Sequence, residues 1–322
     1  MKVHLVYKPE GKALRIFQEK LDPGIEISYG SEIQDSAVEI LVAGRPEREM
    51  IESCNQLQSL IIPWAGIPTK TQNLMADYPQ ITVHNLHHNA VPTAELAVAL
   101  MLAAAKRIRV YDQKLRKGNW ELRYKAEQSV LLEGRQALIV GYGAIGRRVG
   151  DVLLALGLQV TGFRRNPLRA ETGRIPILAP SQLKGLLPGA DILILTLPLT
   201  PETRGLIGAE ELKMLPENSI IVNVSRGPII DQEALYQALK NERIHGAGLD
   251  VWYNYPKTEE ERLQTFPGDF PFHELNNVVM SPHRGGKSPE VESARMEALA
   301  ASLNAARRGD GLPNQVDIDL GY

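Results

Sequence analysis

The chain of 322 residues has a single cysteine, Cys54. No internal disulfide can form and a cysteine-based metal site is not expected. A lone thiol in such a chain reads as a small buried hydrophobe rather than a nucleophile. Net charge is also nearly absent, at −2, with no basic block or stripe. Nucleic acid is therefore a poor partner on electrostatic grounds. No apolar run approaches the roughly 20 residues of a membrane helix. The opening MKVHLVYKPEGK is too short and polar for a signal peptide. These absences point to a cytoplasmic protein with no membrane partner and no metal. Repeats and low-complexity segments are missing too, and glycine and proline are scattered rather than concentrated.

What is present is an alternation of short apolar runs with helical patterns, the mark of parallel α/β architecture. The length exceeds what one hydrophobic core usually supports, so two domains are expected. In the first part the strands are read at VHLVY (from Val3), IEISY (from Ile25), VEILVAG (from Val38), LQSLII (from Leu57) and ITVHN (from Ile81). A long helix is expected to be capped by Thr93 and to run unbroken to Gly118. A second array follows: QALIV (from Gln136), LQVTGF, DILILTL, SIIVNVS, GAGLDV and NVVMS. Ser288-Pro289 then opens a last helix, SPEVESARMEALAASLNAARR, which returns the chain to the first domain. The fold class is α/β, with two Rossmann-like or flavodoxin-like parallel sheets. The first domain would comprise residues 1–95 plus 288–322, and the second residues 96–287.

The strongest local signal is GYGAIG, with glycines at 141, 143 and 146. Alone, G-x-G-x-x-G is weak. Here a buried strand runs into it, and Val149, Val152, Leu153 and Leu156 follow at helical spacing. Gly141 permits the tight turn, Gly143 lets backbone approach a pyrophosphate, and Gly146 lets helix pack on strand. The amides of Ala144, Ile145 and Gly146 at the helix start would hold the phosphates. This makes residues 96–287 the dinucleotide-binding domain. The next strand ends in Arg164-Arg165 where a site for NAD usually has an acid. Arginine suits a 2′-phosphate, so NADP(H) is the expected cofactor. Should both arginines stack on adenine or face water, NAD(H) remains usable.

Four further segments complete a pattern: LPLTPETRGLIG (from Leu197), NVSRGPIID (from Asn223), GAGLDVW (from Gly246) and SPHRGG (from Ser281). With GYGAIG, in this order and at these separations, they resemble the D-isomer-specific 2-hydroxyacid dehydrogenases, glyoxylate/hydroxypyruvate reductases among them. The chemistry can be stated from the residues. Reduction of a 2-oxo acid needs a cation to pair with the carboxylate and polarise the carbonyl, which Arg226 can do just after a strand. It also needs an acid that titrates near neutrality, which His283 offers. The resemblance implies the same roles for Arg226 and His283, and an active-site cleft between the two domains. It further implies that Asp250 lies near the nicotinamide, that Pro198 and Thr203 fold over the cofactor, and that the chain is a homodimer. PWAGIP (from Pro63) stands in place of the family's glycine-rich loop, whose amides, here Ala65, Gly66 and Ile67, would receive the substrate carboxylate. Trp64 and Pro68 depart from the common pattern there.

A second departure bears on the chemistry. The family places a glutamate after LDV, paired with the catalytic histidine; here the matching position is Tyr255. A neutral partner stabilises an imidazolium less, so rate and pH profile are expected to differ. Glu259, Glu260 or Glu261 would substitute only if the loop doubled back. Two alternatives follow. Formate dehydrogenases, a branch of the same superfamily, pair the histidine with a neutral residue and carry an asparagine where Asn89 stands. The C-terminal-binding-protein corepressors use the fold as a nucleotide-responsive scaffold. Trp64, Trp252, Tyr253 and Tyr255 either wall a roomy pocket for a larger 2-oxo acid or serve as ordinary packing.

Overall fold

The computed structural model describes residues 1–125, 128–167 and 173–322. The chain divides into two compact units, Met1–Asn89 with Lys287–Tyr322, and Ala90–Gly286. Both are parallel α/β layers, as the alternating pattern predicts.

In the first unit the elements are β1 (Lys2–Leu5), α1 (Gly11–Lys20), β2 (Glu26–Tyr29), β3 (Ile40–Val42), α2 (Arg48–Glu52), β4 (Ser59–Ile62), α3 (Thr69–Met75) and β5 (Thr82–Asn85). The strands pair in parallel in the order β2-β1-β3-β4-β5. One face of this sheet buries Phe17 of α1 together with Met296, Leu299 and Leu303 from near the C-terminus. The other face buries Ile51, Leu60 and Met75. Cys54 is buried, its Sγ within 3.4 Å of the Met50 carbonyl. Burial pushes the thiol pKa up, which suits packing rather than nucleophilic chemistry.

The second unit opens with α4 (Ala90–Ala105) and α5 (Ile108–Leu115). It continues through β6 (Gln136–Val140), α6 (Ala144–Ala155), β7 (Gln159–Phe163), β8 (Ile177–Leu178), α7 (Leu183–Leu186), β9 (Ile192–Leu195) and α8 (Ala209–Met214). β10 (Ile220–Asn223), α9 (Gln232–Lys240), β11 (Gly246–Leu249) and β12 (Val278–Met280) complete it. The last helix, α10 (Val291–Arg308), belongs to the first unit. Seven strands pair in parallel in the order β12-β11-β10-β9-β6-β7-β8. Their near-continuous apolar runs are what a sheet covered on both faces requires. Among the described residues no helix is long and apolar enough to cross a membrane.

Three helical expectations are corrected. The helix after the first sheet is not continuous. It stops at Ala105 and restarts at Ile108, with Arg107 between them in the left-handed region at φ 51°. Thr93 does not cap it: the helix starts at Ala90, and Thr93 is buried in its first turns. Pro92 falls early enough that its missing N–H breaks no helical bond. The last helix begins at Val291 rather than Ser288. α4 packs on the second sheet, where Gly248 admits it: a Cβ there would lie 2.7 Å from the Leu100 Cβ. The first boundary between units accordingly falls at Asn89 and not at residue 95.

Candidate functional site

Every strand of the second unit is parallel, so the loops leaving their carboxyl ends share one edge. The chain adds β7 and β8 on one side of β6, then crosses to add β9 through β12 on the other. The gap between the ends of β6 and β9 is the topological switch point, where parallel sheets receive ligands.

The GYGAIG loop sits at that point. Gly141 has φ +100°, and a Cβ there would meet the Leu197 backbone nitrogen at 2.6 Å. A Cβ on Gly146 would lie 2.6 Å from the Gly141 carbonyl oxygen, so this glycine seats α6 on the turn. Gly143 differs: a Cβ there would meet nothing within 4 Å. Its missing side chain therefore leaves open space before the first turn of a 12-residue helix. The first amides of that helix, on Ala144, Ile145 and Gly146, have no carbonyl one turn back to bind. Open space, amides and helix dipole together fit a pyrophosphate. Thr196 ties the two sides of the switch point, its hydroxyl donating to the Gly141 carbonyl at 2.7 Å. Tyr142, buried, lies against Gly150 and Gly162 and wedges loop, α6 and β7 together.

Arg164 and Arg165 leave the end of β7. The Arg164 backbone N–H donates to the Leu178 carbonyl of β8 at 3.0 Å. The guanidinium of Arg165 pairs with Glu202, Nη2 to Oε2 at 2.9 Å. Glu202 stands on the turn that follows β9. That turn is internally stapled: the Thr203 hydroxyl donates to the Pro198 carbonyl at 2.8 Å, and the Thr200 N–H donates to the Thr203 hydroxyl at 2.8 Å. Pro198 and Thr203 thus form one rigid element beside the switch point.

Arg226, Tyr255 and His283 come from three successive neighbours, the loops after β10, β11 and β12. Arg226 is exposed and its Nη1 donates to the Ser225 carbonyl at 2.7 Å. Asn223 braces this loop, its Nδ2 donating to the Arg226 carbonyl at 2.9 Å and its Oδ1 accepting from Ser225. His283 is exposed and holds a left-handed backbone at φ 56°. Such a conformation costs a side-chain-bearing residue energy and persists only where neighbours enforce it. Asp250 holds the residues on either side of His283. Its carboxylate, 1% exposed, accepts from the Ser281 hydroxyl (2.6 Å), the Arg284 N–H (2.7 Å) and the Gly285 N–H (2.8 Å). The family resemblance implies a place for Asp250 near the nicotinamide and does not signal this clamp on the histidine loop.

The Tyr255 ring lies 5.7 Å from the His283 ring, centroid to centroid and tilted by 56°. Its hydroxyl oxygen accepts the Trp252 N–H at 3.0 Å. Loss of solvent pushes this phenol above its ordinary pKa, against the opposing pull of that N–H and of the Arg226 charge. Tyr255 is therefore a neutral neighbour of the histidine through the physiological range. The acidic run beyond it is engaged in its own turn. Glu261 accepts the Lys257 N–H at 2.6 Å and Glu259 pairs with Arg262 at 2.6 Å, all of them exposed.

Of the two readings of the aromatics, packing holds for Trp252 and Tyr253. Trp252 is 5% exposed and packs into the core, its indole N–H donating to the Ser281 carbonyl at 2.8 Å. Tyr253 stacks on Phe272 and donates its hydroxyl to the Ile230 carbonyl at 3.1 Å. Both are packing residues, and of the three aromatics in this loop only Tyr255 stands open to solvent.

In the first unit, Ala65, Gly66 and Ile67 follow β4 in a loop that leads into α3. Asn85 holds it, its Nδ2 donating to the Ala65 carbonyl at 2.8 Å. Trp64 lies over Gly44 and beneath the Arg45 guanidinium, 5.9 Å from the ring. Asn89 is the last residue before the chain passes into the second unit. His88 beside it meets Arg295, whose Nη1 pairs with Glu292 at 2.8 Å. Burial, then the Arg295 charge, then His87 lower the His88 pKa to about 4.

Residues 98–285 match the family model described as D-isomer specific 2-hydroxyacid dehydrogenase, NAD binding domain. The chain is 30% identical over 314 residues to the D-3-phosphoglycerate dehydrogenase of Methanocaldococcus jannaschii, a match covering 95% of this chain and 57% of that protein. The chain thus spans under two thirds of that relative's length. It is 30% identical over 298 residues to the glyoxylate reductase of Thermococcus litoralis, covering 88% and 84% of the two chains. A D-isomer specific 2-hydroxyacid dehydrogenase from Xanthobacter autotrophicus Py2, solved with NADPH and MES, superposes with a TM-score of 0.80 at 24% identity, covering 100% and 99% of the two chains.

Proposed function

The chain belongs to the D-isomer specific 2-hydroxyacid dehydrogenase family, and on that premise we propose that it interconverts a 2-oxo acid and a D-2-hydroxy acid with NADP(H), NAD(H) remaining usable. The observation that carries this reading is the delivery of Arg226 and His283 by the loops after β10 and β12, on the same sheet edge as the Gly141–Gly146 cradle. The nicotinamide cofactor, when bound, supplies the hydride. It would be held by the Gly143 opening, the amides of Ala144, Ile145 and Gly146, and Arg164 and Arg165, with Pro198, Thr203 and Asp250 as further contacts.

Arg226 does the electrostatic work. Its guanidinium pairs with the substrate carboxylate and draws electron density toward the carbonyl oxygen, where negative charge grows. His283 holds a proton on its ring and gives it to that oxygen; in the reverse direction it takes the proton back. Tyr255 offers this histidine a ring and no charge, so position 255 gives an imidazolium none of the stabilisation a carboxylate there would provide. For the first unit we propose that the amides of Ala65, Gly66 and Ile67 receive an anion, with Asn89 as a further polar contact. We also propose a homodimer, supported by the exposed apolar side chains of Ile108, Leu115, Trp120 and Tyr124; sedimentation at equilibrium tests it.

The neutral Tyr255 favours one second reading, hydride abstraction from formate, which needs no acid–base step at oxygen. One plate separates the readings. NADPH and NADH oxidation are followed against glyoxylate, hydroxypyruvate, pyruvate, phenylpyruvate and branched 2-oxo acids, with formate and each oxidised nucleotide alongside. Turnover of a 2-oxo acid is the expected result. Arg226→Ala should then lose that turnover while nucleotide affinity stays nearly intact; retained turnover would remove Arg226 from the chemistry. Nucleotide binding with silence across the panel would point to a scaffold.

A further inference from the structure

We infer that Glu202 narrows the NADPH-over-NADH preference of this protein by competing with the 2′-phosphate for Arg165, an inference that rests on the phosphate-site reading of Arg164 and Arg165. The two arginines stand side by side at the end of β7 but are not equivalent. Arg164 has no carboxylate partner among the described residues, whereas Arg165 is paired with Glu202 at 2.9 Å.

The carboxylate is not there by the drift of a floppy loop. It projects from the 200–204 turn, which the Thr203 and Thr200 side chains fasten and the Arg204 N–H closes on the Thr200 carbonyl at 3.0 Å. The turn belongs to the segment beside the switch point, so Glu202 reaches across from β9 to the end of β7.

Two consequences follow from the charges. A nucleotide 2′-phosphate that recruits Arg165 must either displace Glu202 or share the guanidinium with it. Either way the carboxylate stays near a dianion and repels it. A nucleotide with a free 2′-hydroxyl meets neither obstacle. Glu202 therefore lowers affinity for NADPH and leaves that for NADH nearly unchanged, which narrows the preference that two arginines alone would create. Arg165 and Glu202 remain 43% and 70% exposed, so water and salt screen the pair and the effect is modest.

The test uses the 322-residue chain and titration calorimetry with two probes, 2′,5′-ADP and 5′-ADP, at low salt. In Glu202→Gln, 2′,5′-ADP should bind about three- to five-fold more tightly, the range of an exposed ion pair, while 5′-ADP moves less than two-fold. The gain should shrink on raising the salt. Arg165→Gln is the companion variant and should weaken 2′,5′-ADP selectively. If Arg165→Gln behaves so but Glu202→Gln leaves both probes unchanged, or tightens both equally, the role of Glu202 is refuted and the phosphate site stands. If Arg165→Gln leaves 2′,5′-ADP unaffected, the phosphate-site reading of Arg165 fails and the role of Glu202 fails with it. Both side chains are exposed, so neither variant endangers the fold.

Discussion

Asp250→Asn is the most informative perturbation of the proposed centre, because one nearly isosteric exchange removes a clamp without emptying space. The carboxylate accepts three hydrogen bonds, two on Oδ1 and one on Oδ2, all from the 281–285 loop that carries His283. An amide in the same place can keep one oxygen face and must turn its NH2 toward a donor on the other. At least one charge-assisted bond is lost and one donor is left facing a donor. Bonds to charged groups contribute about 1.5–3 kcal/mol each, so the loop should lose roughly 2 kcal/mol of local stability. That corresponds to an increase of about 30-fold in the opening equilibrium, at 1.4 kcal/mol per tenfold. The assay is amide hydrogen exchange: the Arg284 and Gly285 N–H groups should exchange about 30-fold faster, with the strands β6 and β9 unchanged. With the residues on either side of His283 less firmly held, kcat should fall by about 10- to 100-fold, since a misplacement near 1 Å suffices for that. Nucleotide affinity should change far less. Unaltered exchange at both amides, or full kcat with accelerated exchange, would refute the view that Asp250 acts by fixing the histidine loop.

Three further outcomes are expected. Gly143→Ala should fold normally, its Cβ meeting nothing, yet weaken either nucleotide at least tenfold; Gly146→Ala, driven against the Gly141 carbonyl, should instead lower the melting temperature, and calorimetry alongside nucleotide titration separates the two. Tyr255→Glu should place a carboxylate beside His283, raise the histidine pKa and extend the rate of 2-oxo acid reduction to higher pH; an unmoved pH–rate profile would show that position 255 does not govern His283. His88 is held to about pKa 4 in the folded chain against 6.5 otherwise, so the unfolded chain takes up a proton first and stability falls as pH drops through that window. His88→Gln should flatten the slope of unfolding free energy against pH between about 6.5 and 4, by up to one proton, as read from urea midpoints.

Most of the sheet could be read from the sequence because both faces are covered, which turns each strand into an apolar run such as ALIV or DILILTL. β8 escaped notice at two residues, Ile177–Leu178, too short for any periodicity. The break between α4 and α5 was hidden because the left-handed residue is Arg107, not glycine, in a stretch whose composition favours helix throughout. Motif spacing and the family resemblance brought Arg226, Tyr255 and His283 forward as candidates, and each follows its strand at short range. The Asp250 clamp and the Asn223 brace were not legible in the same way. They join groups on different strand ends, and no local spacing encodes which buried acid meets which distant amide. The role of Trp252 and Tyr253 stayed open in the sequence for a related reason: an aromatic beside a site motif packs inward or outward according to neighbours such as Phe272, which arrive from elsewhere in the chain.

The first unit is assembled from Met1–Asn89 and Lys287–Tyr322, with the second unit intervening. During synthesis this imposes an order. The helix α10, which covers Phe17 and the β1 face of the first sheet, leaves the ribosome only after about 200 further residues. At roughly 5–20 residues per second the early sheet waits some 10–40 s with that apolar face unshielded. The inserted unit can finish folding in the meantime. A nascent chain halted before residue 287 should therefore carry a protease-resistant second unit behind a sticky, chaperone-binding first one.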